Sequence, residues 1–439
     1  MRPVIYESPD GGKTVYERGF LSKERTLSKY MPKVLDIGSY YVSNFLKKDE
    51  DSTQRKKYSL DLFLDNELGA VRLGRDDLAP PETMWGQYWY RSGTNATMTK
   101  ELQGIVAEVC SRVKLKTDDI WLDIACNDGT LLKNIPSKIK AIGIDPCDDT
   151  YYAESSKYAE VIQDYFTYDA WCRTSVAEKK AKVITCIAMF YDLDNPHSFV
   201  QDLYKVLDDD GTLVLQMSYT PLMVKQMAFD NICHEHVYYY DLTSIQTLFE
   251  MHGFKIVDCN LNDTNGGSFR VYLQKSIAKT SSFGSAPLRD VCNMRVNGIL
   301  NYEKTELNIR DIDVWNTFAK NLNELKTTVV QFVDDAIANG KTVYGYGAST
   351  KGNTLLQYFN LDHTKIKAIA ERSPYKFGMK TIGTNIPIIS EEEMRKSNPD
   401  YLLVLPWHFI DEFESREQEY INSGGALVVP CPQFKIISK

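Results

Sequence analysis

Two stretches of this chain alternate short apolar runs with helical patterns, and that doubled alternation constrains its fold more than any other feature. In the first, from about 117 to 275, Ile120–Ala125, Ala141–Asp145, Val183–Ala188 and Thr212–Gln216 read as strands with helical stretches between them. Such alternation gives an α/β unit, a parallel sheet with helices on both faces. Segments beginning after Gly253 and at Gly267 add two strands, expected to form an antiparallel edge. A long amphipathic helix is expected from Val314 to Ala338, stopped by Asn339 and Gly340. The alternation then restarts, with strands expected near Thr342–Gly347, Lys365–Ile369, Tyr401–Leu405 and Ala426–Val429.

Upstream, Val34–Ser43 and Tyr58–Leu64 alternate in the strand period, with Gly-Gly and Pro-Pro punctuating the loops. Residues 1–95 therefore read as a small, mainly β unit. A helical pattern follows, with apolar residues at Leu102, Ile105, Val106, Val109 and Val113. Residues 276–311 are polar and read as an irregular connector. The expected organisation is 1–95, then an α/β domain over 96–275, the connector, and a second α/β domain over 312–439.

A length of 439 residues fits two or three domains at about 100–200 residues each. The net charge of −8 argues against a nucleic-acid partner, which normally requires a basic surface. No apolar stretch approaches the roughly 18–20 residues needed to cross a bilayer, and the first residues carry no signal-peptide core. The expectation is a cytoplasmic protein without membrane contact. Its nine cysteines are scattered and form no Cys-x-x-Cys pair, which argues against a disulfide framework and a cysteine zinc site. Monomer and homo-oligomer both stay open.

Chemistry enters at the first strand of the first α/β run. Trp121-Leu-Asp-Ile ends in a turn containing Ala125, Asn127 and Gly129, small or turn-forming residues that let a ligand approach the backbone. Asp123 can meet the ammonium of a methionine moiety. Asp145, about 20 residues on at the end of the next strand, can hold ribose hydroxyls. Asp164 and Tyr165 are placed to flank an adenine ring. The turn lacks the G-x-G-x-x-G spacing of nicotinamide enzymes and has a carboxylate inside the strand, so S-adenosylmethionine is the expected cofactor.

Four segments make the chain recognisable: Tyr88-Trp-Tyr-Arg-Ser-Gly-Thr-Asn, Asp123-Ile-Ala-Cys-Asn-Asp-Gly-Thr-Leu-Leu, His234-Glu-His-Val-Tyr-Tyr-Tyr and Gly345-Tyr-Gly-Ala-Ser-Thr-Lys-Gly-Asn-Thr. With a fifth, Pro399-Asp-Tyr-Leu-Leu-Val-Leu-Pro-Trp-His, it resembles the C-methyltransferases that act on nucleotide-linked keto-deoxysugars, over about Val34 to Gln433. The resemblance implies a small N-terminal zinc-binding domain, a central class I methyltransferase domain and a C-terminal Rossmann-like domain that helps hold a nucleotide-diphosphate sugar. No cysteine precedes Cys110, so no zinc is expected. His236 corresponds to the family's general base, with Glu235 assisting; His234 could orient it or polarise the ketone. The family's tyrosine is Cys233 here, and Tyr90 or Tyr238 could replace it. Where family members often place a histidine, this chain has Asp192. Tyr88, Arg270, Gly347, Lys351 and Asn353 are the expected substrate contacts, with Lys351 as counter-charge to phosphates.

Other readings of the same residues stay open. Cys233 and Asp192 leave room for O- or N-methylation of a related nucleotide-linked sugar, or for a nucleotide-sugar binding protein without turnover. A His-x-His pair can also ligate metal, but the sequence places no further ligands beside it. The Gly345 turn could serve a nicotinamide cofactor, with Glu371 as the nearest ribose-binding acid.

Overall fold

The computed structural model describes residues 4–7, 16–19, 26–27, 31–85, 90–279 and 283–439, the first three segments and Trp85 by backbone alone. The first α/β run opens on α1 (Ala96–Arg112), whose first turn is capped by the Asn95 side chain. Seven strands follow: β1 (Ile120–Ile124), β2 (Lys140–Ile144), β3 (Glu160–Ile162), β4 (Ala181–Ile187), β5 (Leu207–Ser218), β6 (Phe254–Asn262) and β7 (Ser268–Lys275). Their order is β3-β2-β1-β4-β5-β7-β6, and only β7 runs antiparallel to its neighbours. This is the class I methyltransferase arrangement, with the expected antiparallel edge.

Alternation of side chains builds the two layers. Trp121, Val183, Val214 and Tyr272 face α1, packing with Ile105 and Val109. Leu122, Ile184, Leu213 and Leu215 face the other way, onto Phe199 and Leu203 of α2 (Pro196–Val206) and Ile245 and Leu248 of α3 (Leu242–Met251).

The stretch expected to be an irregular connector holds a helix of 20 residues, α4 (Ala286–Thr305). Its apolar periodicity is weak, with Cys292 and Glu303 its only fully buried residues. Polar bonds seat it instead. Glu303 accepts from the amides of Leu242 and Thr243 and from the Tyr219 hydroxyl, so its carboxylate sits at the positive end of α3.

α5 (Ile312–Ala338) leads to the second sheet: β8 (Val343–Tyr346), β9 (Ile369–Glu371), β10 (Ile388–Ser390), β11 (Tyr401–Val404), β12 (Ala426–Val429) and β13 (Lys435–Ile437). The order β10-β9-β8-β11-β12-β13, parallel except for β13, is a second Rossmann-like sheet. α6 (Thr350–Phe359) follows β8.

The N-terminal unit is stitched to both α/β runs by short strands that lie outside their two main sheets. Strand Tyr238–Tyr239, just beyond the His-Glu-His segment, pairs with Val71–Leu73, and strand Phe45–Leu46 pairs with Lys380–Thr381. Arg72, 1% exposed, fastens the first seam. Its guanidinium donates to the Tyr238 hydroxyl at 2.7 Å and to Asp194 at 2.7 Å, and its Nε donates to the Leu73 carbonyl. Arg72→Met takes the donor from the buried Tyr238 hydroxyl and the Leu73 carbonyl, while the exposed Asp194 can turn to water, so it should destabilise the protein by about 2 kcal/mol. Denaturant unfolding at constant m-value measures this.

Candidate active site

The chain leaves β1 through left-handed backbone at Ala125 (φ 58°), Asn127 (φ 52°) and Gly129 (φ 78°). Such angles cost a non-glycine residue about 1 kcal/mol or more, and hydrogen bonds hold them here. The Ala125 amide donates to the Ile144 carbonyl and the Asn127 amide to Asp145. At Gly129 a Cβ would lie 2.7 Å from Ser155 Cα, so glycine is required for packing as well as for φ. Among the described residues, the only hydrogen bond to the Asp123 carboxyl comes from the Thr185 hydroxyl at 2.6 Å. Burial, offset by that bond and reinforced by Asp145, pushes Asp123 up to about 7. A buried carboxyl with one oxygen bonded and no cation beside it fits a ligand ammonium. Asp145 accepts from the amides of Asn127 and Cys147, which locks the two strand ends and leaves each oxygen one lone pair for ribose hydroxyls.

The Asn127 side chain is spent on the acceptor side: it donates to the Tyr90 carbonyl and accepts from the Ser92 amide. Asp128 likewise accepts from the Gly93 amide at 2.8 Å. The segment carrying Tyr90 thus rides on the cofactor turn. Tyr90 is 42% exposed, but its hydroxyl is desolvated enough to raise the phenol. Asp164 and Tyr165 lie at the surface beyond β3, with Asp164 paired to Arg173, while the adjoining Phe166 is core.

The loop 229–236 gathers a second set of ionisable side chains. His236 Nδ1 lies 2.8 Å from the Asn231 carbonyl. A carbonyl can only accept, so Nδ1 holds the proton and Nε2 keeps its lone pair. Nε2 has no hydrogen-bond partner among the described residues. The Tyr191 ring lies 4.0 Å from the imidazole, centroid to centroid. Burial and the Lys351 charge hold His236 well below its ordinary value, so it stands neutral at neutral pH. Glu235, half-buried and without a hydrogen-bond partner among the described residues, is pushed up to about 7 by burial, against a lowering by Lys351.

Lys351 reaches this loop from the second sheet and donates to Asn231 Oδ1 at 2.6 Å. Its charge is felt by Asp192, Asp230, Cys233, Glu235, His236 and His408, residues drawn from both α/β domains. The expectation had Lys351 on phosphates; the fold turns its ammonium toward His236.

Several expected contacts move. Arg270 is buried on β7 and paired with Glu101 and Glu108, its Nε donating to Gln216, so it faces α1 and away from the Gly345 turn. Asn353 is buried and donates to the Asn44 carbonyl, anchoring α6 to the N-terminal unit. At Gly347 (φ 82°) a Cβ would lie 2.6 Å from Pro406 Cγ, so close packing accounts for the glycine. His234 donates from Nε2 to the Tyr58 carbonyl at 3.0 Å and faces the N-terminal unit, where burial lowers it to about 4. It neither orients His236 nor approaches the cleft. The Tyr238 hydroxyl is taken by Arg72 and Asp65, which removes it as a replacement for the missing tyrosine. Glu371 accepts the amides of Ala348, Arg372 and Ser373, closing its own turn. Tyr88 lies outside the described residues. Asn231 and Asp230 belong to the site without any motif marking them in advance, and His408, the last residue of the fifth segment, joins them without having been read as a site residue.

Two family models match the chain: a methyltransferase domain over residues 95–258 and a C-methyltransferase C-terminal domain over 263–432. The chain is 26% identical over 409 residues to the C-methyltransferase NovU of Streptomyces niveus, covering 92% of this chain and 94% of that protein. Among solved structures, a methyltransferase from Clostridium acetobutylicum is 12% identical, covering 40% of this chain and 92% of its own at a TM-score of 0.31. Magnesium protoporphyrin IX methyltransferase from Synechocystis, with bound S-adenosylmethionine, is 12% identical, covering 40% and 79% at a TM-score of 0.31. At those overlaps the likeness adds nothing to the sheet order already described.

A cationic ligand at Asp123 needs the ionised carboxyl, which predominates only above about 7 in the free protein. S-adenosylmethionine affinity should therefore be full above that pH and weaken by up to ~10-fold per pH unit below it. Calorimetric titrations from pH 8 to 5.5 should show this slope in the wild type, and Asp123→Asn should bind weakly with the slope gone.

Proposed function

We propose that this chain, an S-adenosylmethionine-dependent methyltransferase, methylates the carbon beside the ketone of a nucleotide-diphosphate keto sugar. The observation that carries the reading is His236: a neutral imidazole whose Nδ1 proton is committed to the Asn231 carbonyl and whose Nε2 has no partner among the described residues. A carbon acid beside a ketone requires a base of that kind and a setting that tolerates enolate charge.

Bound S-adenosylmethionine supplies an electrophilic methyl group on a sulfonium. Asp123, Asp145 and the turn from Ala125 to Gly129 hold the donor, and the segment from Tyr90 to Thr94 rides on that turn at the acceptor side. His236 Nε2 takes the proton from carbon. The Lys351 charge, fixed by Asn231, favours the negative charge that develops on the ketone oxygen, and Glu235 adds a polar group beside it. The C-terminal Rossmann-like domain, from which Lys351 projects, holds the nucleotide portion.

Incubation with thymidine- and uridine-diphosphate 4-keto-6-deoxyhexoses in deuterium oxide tests this. Deuterium should enter beside the ketone, and His236→Ala should lose exchange and methyl transfer by 10²–10⁴-fold or so while still binding S-adenosylmethionine. A wild type that methylates these sugars on oxygen or nitrogen without exchange would rule out the carbon reading. Because Lys351 lowers His236, Lys351→Met should raise its pKa. The acid limb of the pH–rate profile should then move to higher pH.

A further inference from the structure

Asp192 follows the carboxyl end of β4, where the chain turns through left-handed backbone at Ala188 (φ 55°) into the short helical turn Phe190–Asp192. β4 lies beside β1, the strand that ends in the cofactor turn. Ligands of open α/β sheets sit outside the carboxyl ends of strands, so Asp192 stands over the acceptor side of the cleft. Tyr191, the preceding residue, packs on the His236 ring.

The two oxygens of Asp192 differ. Oδ1 is sealed from solvent and has no hydrogen-bond partner among the described residues; Oδ2 likewise has none, and the residue as a whole is only partly buried. Leaving a carboxylate oxygen buried without a donor is costly. A neutral acid avoids that cost by keeping Oδ1 as the carbonyl oxygen and carrying its proton on Oδ2, toward the cleft. The surroundings agree: burial and Glu235 raise Asp192 well above the carboxylate range, and Lys351 offsets them only in part. Tyr191, Cys233, Tyr239 and Cys186 also face it, and none of them brings a positive charge.

We propose that Asp192 is a catalytic residue that acts as a carboxylic acid, donating a hydrogen bond from Oδ2 to the ketone oxygen of the acceptor as the enolate forms. This rests on the carbon-methylation reading above. As His236 Nε2 takes the proton from carbon, the C–H pair becomes the C=C bond and the carbonyl π pair moves to oxygen, where the Asp192 O–H meets it. When the carbon takes the methyl group, the C=O bond re-forms, the proton stays on Asp192, and the proton on His236 leaves to solvent. A buried neutral carboxyl is a strong donor to an oxyanion in this setting, and no phenol at position 233 is then needed.

The test is deuterium exchange into the same 4-keto-6-deoxyhexose nucleotides, followed with S-adenosylhomocysteine bound so that enolisation is read apart from methyl transfer. Asp192→Ala should slow exchange by about 100-fold or more, with sugar KM changed less than about threefold and cofactor binding intact. Asp192→Asn keeps a neutral donor in the same place, so it should exchange within about tenfold of wild type. As pH rises, the wild type should lose exchange when Asp192 ionises; Asp192→Asn should lack that alkaline limb. Tyr191→Phe keeps the ring that packs on His236 and removes only the hydroxyl, so loss of exchange there would assign the donor to Tyr191 instead. Exchange undiminished in Asp192→Ala, Asp192→Asn no better than Asp192→Ala, or loss in Tyr191→Phe would each overturn the assignment while leaving the carbon reading standing. Absence of exchange in the wild type would remove both.

Discussion

Asn231 is the joint on which the site depends. Its backbone carbonyl takes the Nδ1 proton of His236, and its side-chain oxygen takes the Lys351 ammonium from the second Rossmann-like domain. One residue therefore fixes the tautomer of His236 and the position of the Lys351 ammonium. Asn231 is itself held: it is 2% exposed, and its Nδ2 donates to the Ala228 carbonyl. A shift between the two α/β domains would disturb charge and base together.

Burial sets the chemistry around that joint. His236 stays neutral, and Glu235 and Asp192 are raised, because desolvation penalises each charged form. The same cause raises Asp123 in the cofactor turn, where a ligand ammonium would reverse it. Burial thus disfavours charge on His236, Glu235, Asp192 and Asp123 until ligands bring charge of their own. Lys351 is the exception, compact and committed to one acceptor.

The order of strands was legible because each has an apolar run of the right length bounded by turn residues. β12 begins and ends where its apolar run does. Helix α4 was not legible, since it is seated by Glu303 and other polar bonds and shows little periodicity. Arg270 read as a candidate phosphate contact because a Gly-Gly turn precedes it; the partners that consume it, Glu101 and Glu108, lie more than 160 residues away. His234 and His236 sit in a tight turn closed by the His236 amide on the Cys233 carbonyl, and the turn sends them different ways, one to Tyr58 and the other to Asn231. No local pattern says which is which.

The sequence by itself determined the two α/β domains, the cofactor turn after β1 and the segment from which a base would come, because periodicity and turn chemistry are local properties. Only the tertiary structure decided that Lys351 meets the 229–236 loop, that Asn353 and Tyr238 are anchors, and that Asp192 keeps one oxygen sealed without a partner among the described residues. Those facts depend on which distant surfaces close over which polar atoms, and burial of that kind is a property of the assembled chain.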